Sequence, residues 1–459
     1  MAYEQKRGKY WYVYVKLADG SYRGYSKHPQ SGQHWATKKS AHNWGAEEES
    51  RIAAGTWVDP RHGETTWDAW WKLWIAALDV DENTADTYTR LYQTHVGPRF
   101  GVHPIGKASA PEVDAWLKGL RAGTEETGPP ARRRTRVYSP RTCQAIRTLM
   151  KTMLGDAAEA KLIGGNPLET RRHSSRGRRV DKRQPYVRPK LHATPEQVLA
   201  VAVNMHQVVG PGSTAGIGAF LRVLTAAWMM MRPGETAALA RRNCWLTGRA
   251  VPVINVDDEA GTWEERDSQP PRLKYPKGGA GRDLVAPLGL AALLAAWLAH
   301  RGTEEILFPN HDGERWRRDH WDYRWNQAAG GGILALRGPT RHAASGIYVL
   351  ERAVPGLEFK GLRRVGNVWL EELGVQDVVR AHRLGHAMSD DMQAAYSLVS
   401  PVLEAQMLTG LQGLWAQAWS GYAGIAALGI IAQFAPDHAA ASRTALSPAR
   451  AAIEPPQQS

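Results

Sequence analysis

Phe359-Lys360-Gly361-Leu362-Arg363 opens a stretch that runs through Leu384-Gly385-His386 and ends at Ala394-Ala395-Tyr396-Ser397. A Leu-Gly-His turn, an arginine upstream and an isolated tyrosine downstream are the parts that phosphodiester chemistry needs. Arginine can clamp a phosphate through paired N–H donors. Histidine adds a donor. Tyrosine can be a nucleophile that holds a covalent intermediate, although a phenol with a pKa of about 10 is weak unaided. Cationic donors must then stabilise the charge that builds on the phosphate oxygens in the transition state. Two arginines suit the two non-bridging oxygens. The second stands far upstream, in Met231-Arg232-Pro233-Gly234-Glu235, after a largely apolar run from Gly216 to Met230. Arg-x-x-Glu alone is an ordinary helix-surface salt bridge. Its place relative to the other residues gives it meaning.

The composition agrees with such a substrate. The chain has 459 residues, enough for two or three domains. Its hydrophobic content of 43% supports a real core. A formal net charge of +13 favours a polyanionic partner, nucleic acid ahead of a membrane surface. Cys143 and Cys244 are the only cysteines, which excludes a disulfide framework or a zinc ribbon and points to the cytoplasm. The polar, charged start from Met1 to Lys9 is not a signal peptide. Residues 405–436 carry no charge, but Leu403, Met407, Leu411, Leu414 and Ala418 recur at helical spacing. That predicts an amphipathic helix with an apolar extension rather than a membrane span.

Working outward, residues 10–35 are β-rich. Tyr10 to Leu17 alternates aromatic and β-branched residues, Asp19-Gly20 signals a hairpin, and Ser21 to Ser26 returns. Thr37 to Ala54 reads as a helix ended by Gly55. Thr65 to Leu78 is a second, with Trp67, Trp70, Trp71, Trp74, Ile75 and Leu78 on one face and Thr65 and Asp68 at capping-box spacing. Such a tryptophan stripe is core rather than a base-stacking platform. Helices follow over 83–95, after Ser109-Ala110-Pro111-Glu112, and over 140–162. Residues 123–139, with Arg132-Arg133-Arg134-Thr135-Arg136, read as a loop. Nine Lys/Arg against the single acid Asp181 make residues 171–190 an extended basic linker. Thr194-Pro195-Glu196-Gln197 caps a new helix. Val251–Val256 and Arg282–Ala286 are expected strands flanking a Gly-rich turn. Helices are expected over 290–300, 317–328, 360–373 and 375–384.

The boxes at Arg232–Glu235, Lys360–Arg363 and Gly385-His386, with Tyr396 beyond, resemble the tyrosine recombinases, the phage-type integrases. The resemblance covers residues 65 to about 405. It implies a mainly α fold with small β-sheets: a β-rich arm-binding domain (1–60), a helical core-binding domain (65–170), a basic linker (171–192), a mixed α/β tyrosine-recombinase catalytic domain (193–435) and a disordered tail (436–459). It implies a site-specific recombinase that integrates or excises a mobile element through a 3′-phosphotyrosyl link. Tyr396 would be the nucleophile. Arg232, Arg363 and His386 would hold the phosphate, with Glu235 in support. The segment Lys277-Gly278-Gly279-Ala280-Gly281 resembles the family's hairpin, whose lysine protonates the leaving 5′-oxygen. Lys277 is the choice there and Lys274 the alternative. Lys360 stands where histidine is commonest in the family and Arg364 is a second departure. The interval from His386 to Tyr396 is one residue longer than usual. The resemblance implies no metal and no nucleotide cofactor, and His382 and His386 lack the third ligand that zinc needs. It also implies double-stranded attachment-site DNA as partner, a homotetramer in which the helix after Tyr396 docks on a neighbour, and a DNA-bending or excision accessory protein. Two other functions fit the same residues: a non-catalytic DNA-binding regulator, and a type IB topoisomerase-like nicking-closing enzyme.

Overall fold

The computed structural model describes residues 2–29, 31–54, 57–59, 61–128, 134–169, 191–266, 269–278, 281–336, 346–386 and 399–440. The basic stretch from 170 to 190 and Tyr396 lie outside them. The chain forms two compact units, Met1–Tyr186 and Val187–Ser459.

The first unit opens with a three-stranded antiparallel sheet, β1 (Tyr3–Arg7), β2 (Tyr10–Lys16) and β3 (Tyr22–Tyr25), backed by α1 (Lys38–Ala53). The strand β1 was not expected, since its sequence is polar. It forms because Gly8, at φ 62°, folds it back onto β2, with Tyr3 opposite Tyr14. Alternation sends Val13, Val15 and Tyr25 onto Ala41 and Trp44 of α1. The opposite face keeps Tyr3, Tyr10 and Tyr22 about half exposed, with Tyr3 stacked on Tyr14 and Arg7 lying over Tyr12.

A helical core follows, built from α2 (Trp67–Ala77), α3 (Glu82–Leu91), α4 (Gly97–Phe100), α5 (Ala110–Ala122) and α6 (Pro140–Glu159). Trp67, Trp71 and Trp74 are buried in it with Trp116, Ile146 and Met150. The cap of α2 is Thr66, one residue later than the sequence suggests. Asp68 does not close a capping box with Thr65; it accepts a hydrogen bond from the Tyr92 hydroxyl instead. The expected loop at 123–139 contains a short ladder, β4 (Glu126–Thr127) with β5 (Arg134–Thr135).

The second unit is organised on α7 (Pro195–Val209) and α8 (Thr214–Trp228), and α7 starts in the expected Thr194/Gln197 capping box. Residues Ala215 to Trp228 of α8 are all buried, including Arg222. Its guanidinium donates to the Thr236 hydroxyl and the Pro233 carbonyl and stacks 3.9 Å from the Trp321 ring. Those contacts tie α8 to α9 (Pro233–Ala238).

A three-stranded sheet follows, from β6 (Cys244–Trp245), β7 (Val253–Val256) and a strand numbered below. An unexpected hairpin comes next in the chain, β8 (Thr262–Arg266) with β9 (Gln269–Lys274). Then β10 (Arg282–Val285) completes the sheet by pairing antiparallel with β7. The two strands read from sequence therefore do pair, but the Gly-rich turn joins two ladders rather than closing one. Gly281 is required at the crossing, since a Cβ there would meet the Val256 carbonyl oxygen at 2.7 Å.

The unit continues with α10 (Leu288–His300), α11 (Arg318–Gly330), an unexpected hairpin of β11 (Gly332–Leu336) with β12 (Gly346–Leu350), α12 (Leu362–Glu372) and α13 (Asp377–Leu384). It ends in α14 (Pro401–Trp419) and α15 (Tyr422–Ile431).

The resemblance sent the helix after Tyr396 to a neighbouring subunit. In this chain α14 and α15 pack on their own unit: α14 on α7, α10 and α12, and α15 on α7. The reason is the apolar stripe itself. Met407, Leu411, Trp415 and Ala418 are buried in the same core as Trp228 and Trp369, and the Trp415 and Trp228 rings lie 5.2 Å apart. Residues 436–440, expected to be disordered, are helical and bury Ala439. Among the described residues no helix is long and apolar enough to cross a membrane.

Candidate active site

The site is built where α8, α9, β10, α12 and α13 end or begin. After α8 the backbone of Met230 takes a φ of 55°, rare for a residue with a side chain. The chain then reverses into Arg232, the cap residue of α9. Glu235, fully buried, reaches back to it. One carboxylate oxygen accepts the Arg232 backbone N–H at 2.8 Å, and the other accepts from the Arg232 guanidinium at 2.7 Å. From the other side Arg282, at the start of β10, donates through Nη1 and Nη2 to the same carboxylate at 3.1 and 2.8 Å.

Facing this group is the C-terminal end of α13. Gly385 ends the helix in the left-handed region at φ 59°. Three successive carbonyls around it take a guanidinium each. Arg282 Nε donates to the Arg383 carbonyl at 3.1 Å, Arg363 donates to the Leu384 carbonyl, and Arg232 donates to the Gly385 carbonyl at 3.4 Å. A helix C-terminus leaves carbonyls unsatisfied and carries the negative end of the helix dipole, so cations gather there. Arg363 also donates to the Met230 carbonyl at 2.9 Å and meets His386 Nε2 at 3.1 Å. Behind them Arg383, fully buried, donates to the carbonyls of Val285 and Trp228 and so joins α13 to β10 and α8.

Burial alone would raise the Glu235 pKa. The hydrogen bonds and charge of Arg282, with those of Arg232, outweigh it and hold the carboxyl below its usual range. Burial brings Arg363 down to about 10, with Arg232 adding to the shift, and it stays cationic at neutral pH. His386 is also lowered, by burial first and then by Arg363, Arg232 and Arg282. It is therefore neutral at pH 7. Since a guanidinium can only donate, Nε2 is the acceptor and the imidazole proton sits on Nδ1.

Of the residues read from sequence, the structure brings together Arg232, Glu235, Arg363 and His386. Lys277 is exposed in the turn before β10. Lys274, the alternative, is mostly covered and pairs with Glu264 at 3.3 Å within the β8–β9 hairpin. Lys360 points to solvent and pairs with Glu358 at 3.0 Å rather than with the arginine cluster. Tyr396 lies outside the described residues. Sequence reading missed Arg282 and Arg383. Each carried a periodic signal: Arg282 shares the inward face of β10 with Leu284, and Arg383 follows Val379 by one helical turn.

The chain is 25% identical over 325 residues to a putative prophage phiRv2 integrase of Mycobacterium tuberculosis, a match covering 68% of this chain and 69% of that protein. It is similar in fold to the Tn1549 transposon integrase solved in complex with transposon right end DNA, with a TM-score of 0.51 at 13% identity, over 74% of this chain and 98% of that one. The same integrase in complex with a circular intermediate DNA gives a TM-score of 0.50 at 13% identity, over 74% and 97%. The chain is thus similar in sequence to a prophage integrase and shares the fold of a transposon integrase. No family model matches it.

Two expectations follow for this site. Gly385→Ala puts a side chain into the left-handed region and a Cβ 3.1 Å from the Arg282 guanidinium. It should cost about 1–2 kcal/mol of stability in denaturant unfolding, more if Arg282 cannot give way. His386 should titrate below an ordinary histidine in an NMR pH titration of the DNA-free protein. Replacing Arg363 with Gln removes a neighbouring cation, so the His386 pKa should rise; an unchanged value would contradict the contact.

Proposed function

We propose that this protein is a tyrosine recombinase that cuts and rejoins double-stranded DNA at paired attachment sites of a mobile element, through a 3′-phosphotyrosyl link to Tyr396. The observation that carries the reading is the convergence of Arg232, Arg363 and His386 on the Gly385 turn. Arg232 and Arg282 share the one carboxylate, Glu235, while Arg363 is held by carbonyls and His386, a surplus of positive charge suited to a bound phosphate. The 3.4 Å contact from Arg232 to the Gly385 carbonyl is long and readily exchanged for a phosphate oxygen.

In the first half-reaction the Tyr396 phenolic oxygen attacks the scissile phosphorus and gives up its proton to solvent. The bond from phosphorus to the 5′-oxygen breaks, and Lys277 passes a proton to that leaving oxygen. Arg232, Arg363 and His386 hold the non-bridging oxygens as charge builds on them. In the second half-reaction the 5′-hydroxyl of the partner strand attacks the phosphotyrosine, and the tyrosine leaves as a phenol. One phosphodiester replaces another, so no outside energy source is needed. Lys360, exposed and cationic, adds charge near the DNA rather than acting as a neutral base.

The outward face of the β1–β3 sheet, with Tyr3, Tyr10, Tyr22 and Arg7, is the surface we assign to arm-site DNA. A β-ribbon of this size fits the major groove. We further assign the protein to a homotetramer on paired sites, acting in the cytoplasm, with a DNA-bending or excision protein as accessory.

The test is a suicide substrate nicked near the crossover. The wild type should form a covalent adduct; Tyr396→Phe should bind the DNA equally and form none. An undiminished adduct in that variant would overturn the assignment. The roles of the cations separate on a substrate with a bridging 5′-phosphorothioate, whose thiolate departs without a proton. Arg232→Ala and Arg363→Ala should each lose about a hundredfold or more in cleavage on both substrates. Lys277→Ala should recover on the sulfur substrate. If it stays equally impaired, Lys277 is not the general acid.

A further inference from the structure

Arg282 acts on no reacting atom in the chemistry above, yet it bonds both Glu235 and the end of α13. It is 9% exposed, so it does not face DNA. Two of its nitrogens hold the carboxylate that orients Arg232, and the third holds the Arg383 carbonyl, just before the Gly385-His386 turn. Gly385 passes so close that any side chain there would press on the guanidinium. Five residues before Arg282, on the turn that feeds the same strand, stands Lys277.

We propose that Arg282 is a positioning residue: it clamps Glu235 so that Arg232 is fixed for the phosphate, and it ties the turn bearing Lys277 to the His386 end of α13. The inference rests on the function proposed above. The physical reason is geometric. A guanidinium fork can fill both oxygens of a carboxylate and still donate sideways through Nε, which a lysine cannot. Glu235 is otherwise a buried anion whose remaining partner, Arg232, is needed by substrate. The cations facing Glu235 are Arg232 from the α9 cap and Arg282 from β10, with Arg363 of α12 close enough to feel its charge. Without Arg282, burial dominates, the carboxyl protonates more easily and its hold on Arg232 loosens.

The experiment compares wild type, R282K, R282M, E235Q and the R282M/E235Q double variant in single-turnover cleavage of the nicked substrate, with DNA affinity measured alongside. R282M should bind DNA as the wild type does and cleave about tenfold to a hundredfold more slowly, as misplaced catalytic groups do. It should also gain an acid limb, its rate falling with pH where the wild type stays flat. The double variant should be no slower than E235Q alone, because one residue acts through the other. R282K should fall between wild type and R282M, and it carries the comparison if R282M fails to fold by near-UV circular dichroism. Wild-type rates in R282M, or in R282K if it stands in, or losses that multiply in the double variant, would overturn the proposal. A wild type that forms no adduct would defeat the functional reading itself, and this inference with it.

Discussion

The end of helix α13 is the constraint on which the rest of the candidate site depends. Its last carbonyls, at Arg383, Leu384 and Gly385, draw guanidiniums from β10, α12 and the α9 cap. Like charges do not gather unaided. Here each arginine is held by a carbonyl that the helix cannot satisfy internally, and one carboxylate, Glu235, screens two of them. The arrangement keeps more positive charge than it cancels. On the proposed reading a phosphate entering the cluster replaces the long Arg232 contact to the Gly385 carbonyl and relieves repulsion at the same time. Preorganised cations of this kind need little movement at the moment of reaction, which is the condition under which they contribute most.

What holds α13 in place is the tryptophan-rich core beneath it. Trp228, at the end of α8, packs against Trp369 of α12 and Trp415 of α14, with ring centroids 5.0 and 5.2 Å away. Trp228 also offers its carbonyl to Arg383. The helix that leads into Arg232, the helix that supplies Arg363 and the helix that follows Tyr396 thus share one packed contact. The cap of α14 is Ser400, four residues beyond Tyr396. His386 and Ser400, which flank Tyr396 in the sequence, both belong to this unit. A Met230 backbone in the left-handed region is tolerated because Arg363 takes its carbonyl and Gly366 leaves room beside it.

Much of this could be read in the sequence because it is periodic or local. The stripe of Trp67, Trp71 and Trp74, the Thr194 capping box and the Arg232, Arg363 and His386 boxes all announce themselves within a few residues. The unexpected elements lack that property. β9 contains Pro270 and Pro271, which argue against a strand and are admissible here because it pairs with β8 alone. β1 is polar and depends on Gly8 to fold it onto β2. Arg282 and Arg383 stand in no box that the sequence marks out. Their burial is decided by Glu235 and by the carbonyls of Val285 and Trp228, all distant in sequence. Periodicity could have placed both on inward faces, but only the tertiary partners make such burial tolerable.

Lys360 bears on how the phosphate is gripped. It stands where the family resemblance leads one to expect histidine, and its side chain is 70% exposed beside Glu358. An exposed pair of this kind contributes little to holding a side chain in one geometry. Lys360 is therefore a mobile point charge, able to meet DNA backbone but not to fix a phosphate oxygen. On the proposed reading the fixed donors that remain are Arg232, Arg363 and His386, and His386 has its Nε2 occupied by Arg363 and its pKa lowered, by burial first. Turning an N–H of His386 toward a phosphate requires either its Nδ1 proton or a protonation that an incoming anion favours. In the second case the Arg363 contact to Nε2 gives way, while the arginines stay oriented by their contacts to Glu235 and to the α13 carbonyls. A chain with lysine in the second box thus relies more heavily on those contacts than one with an additional fixed imidazole would.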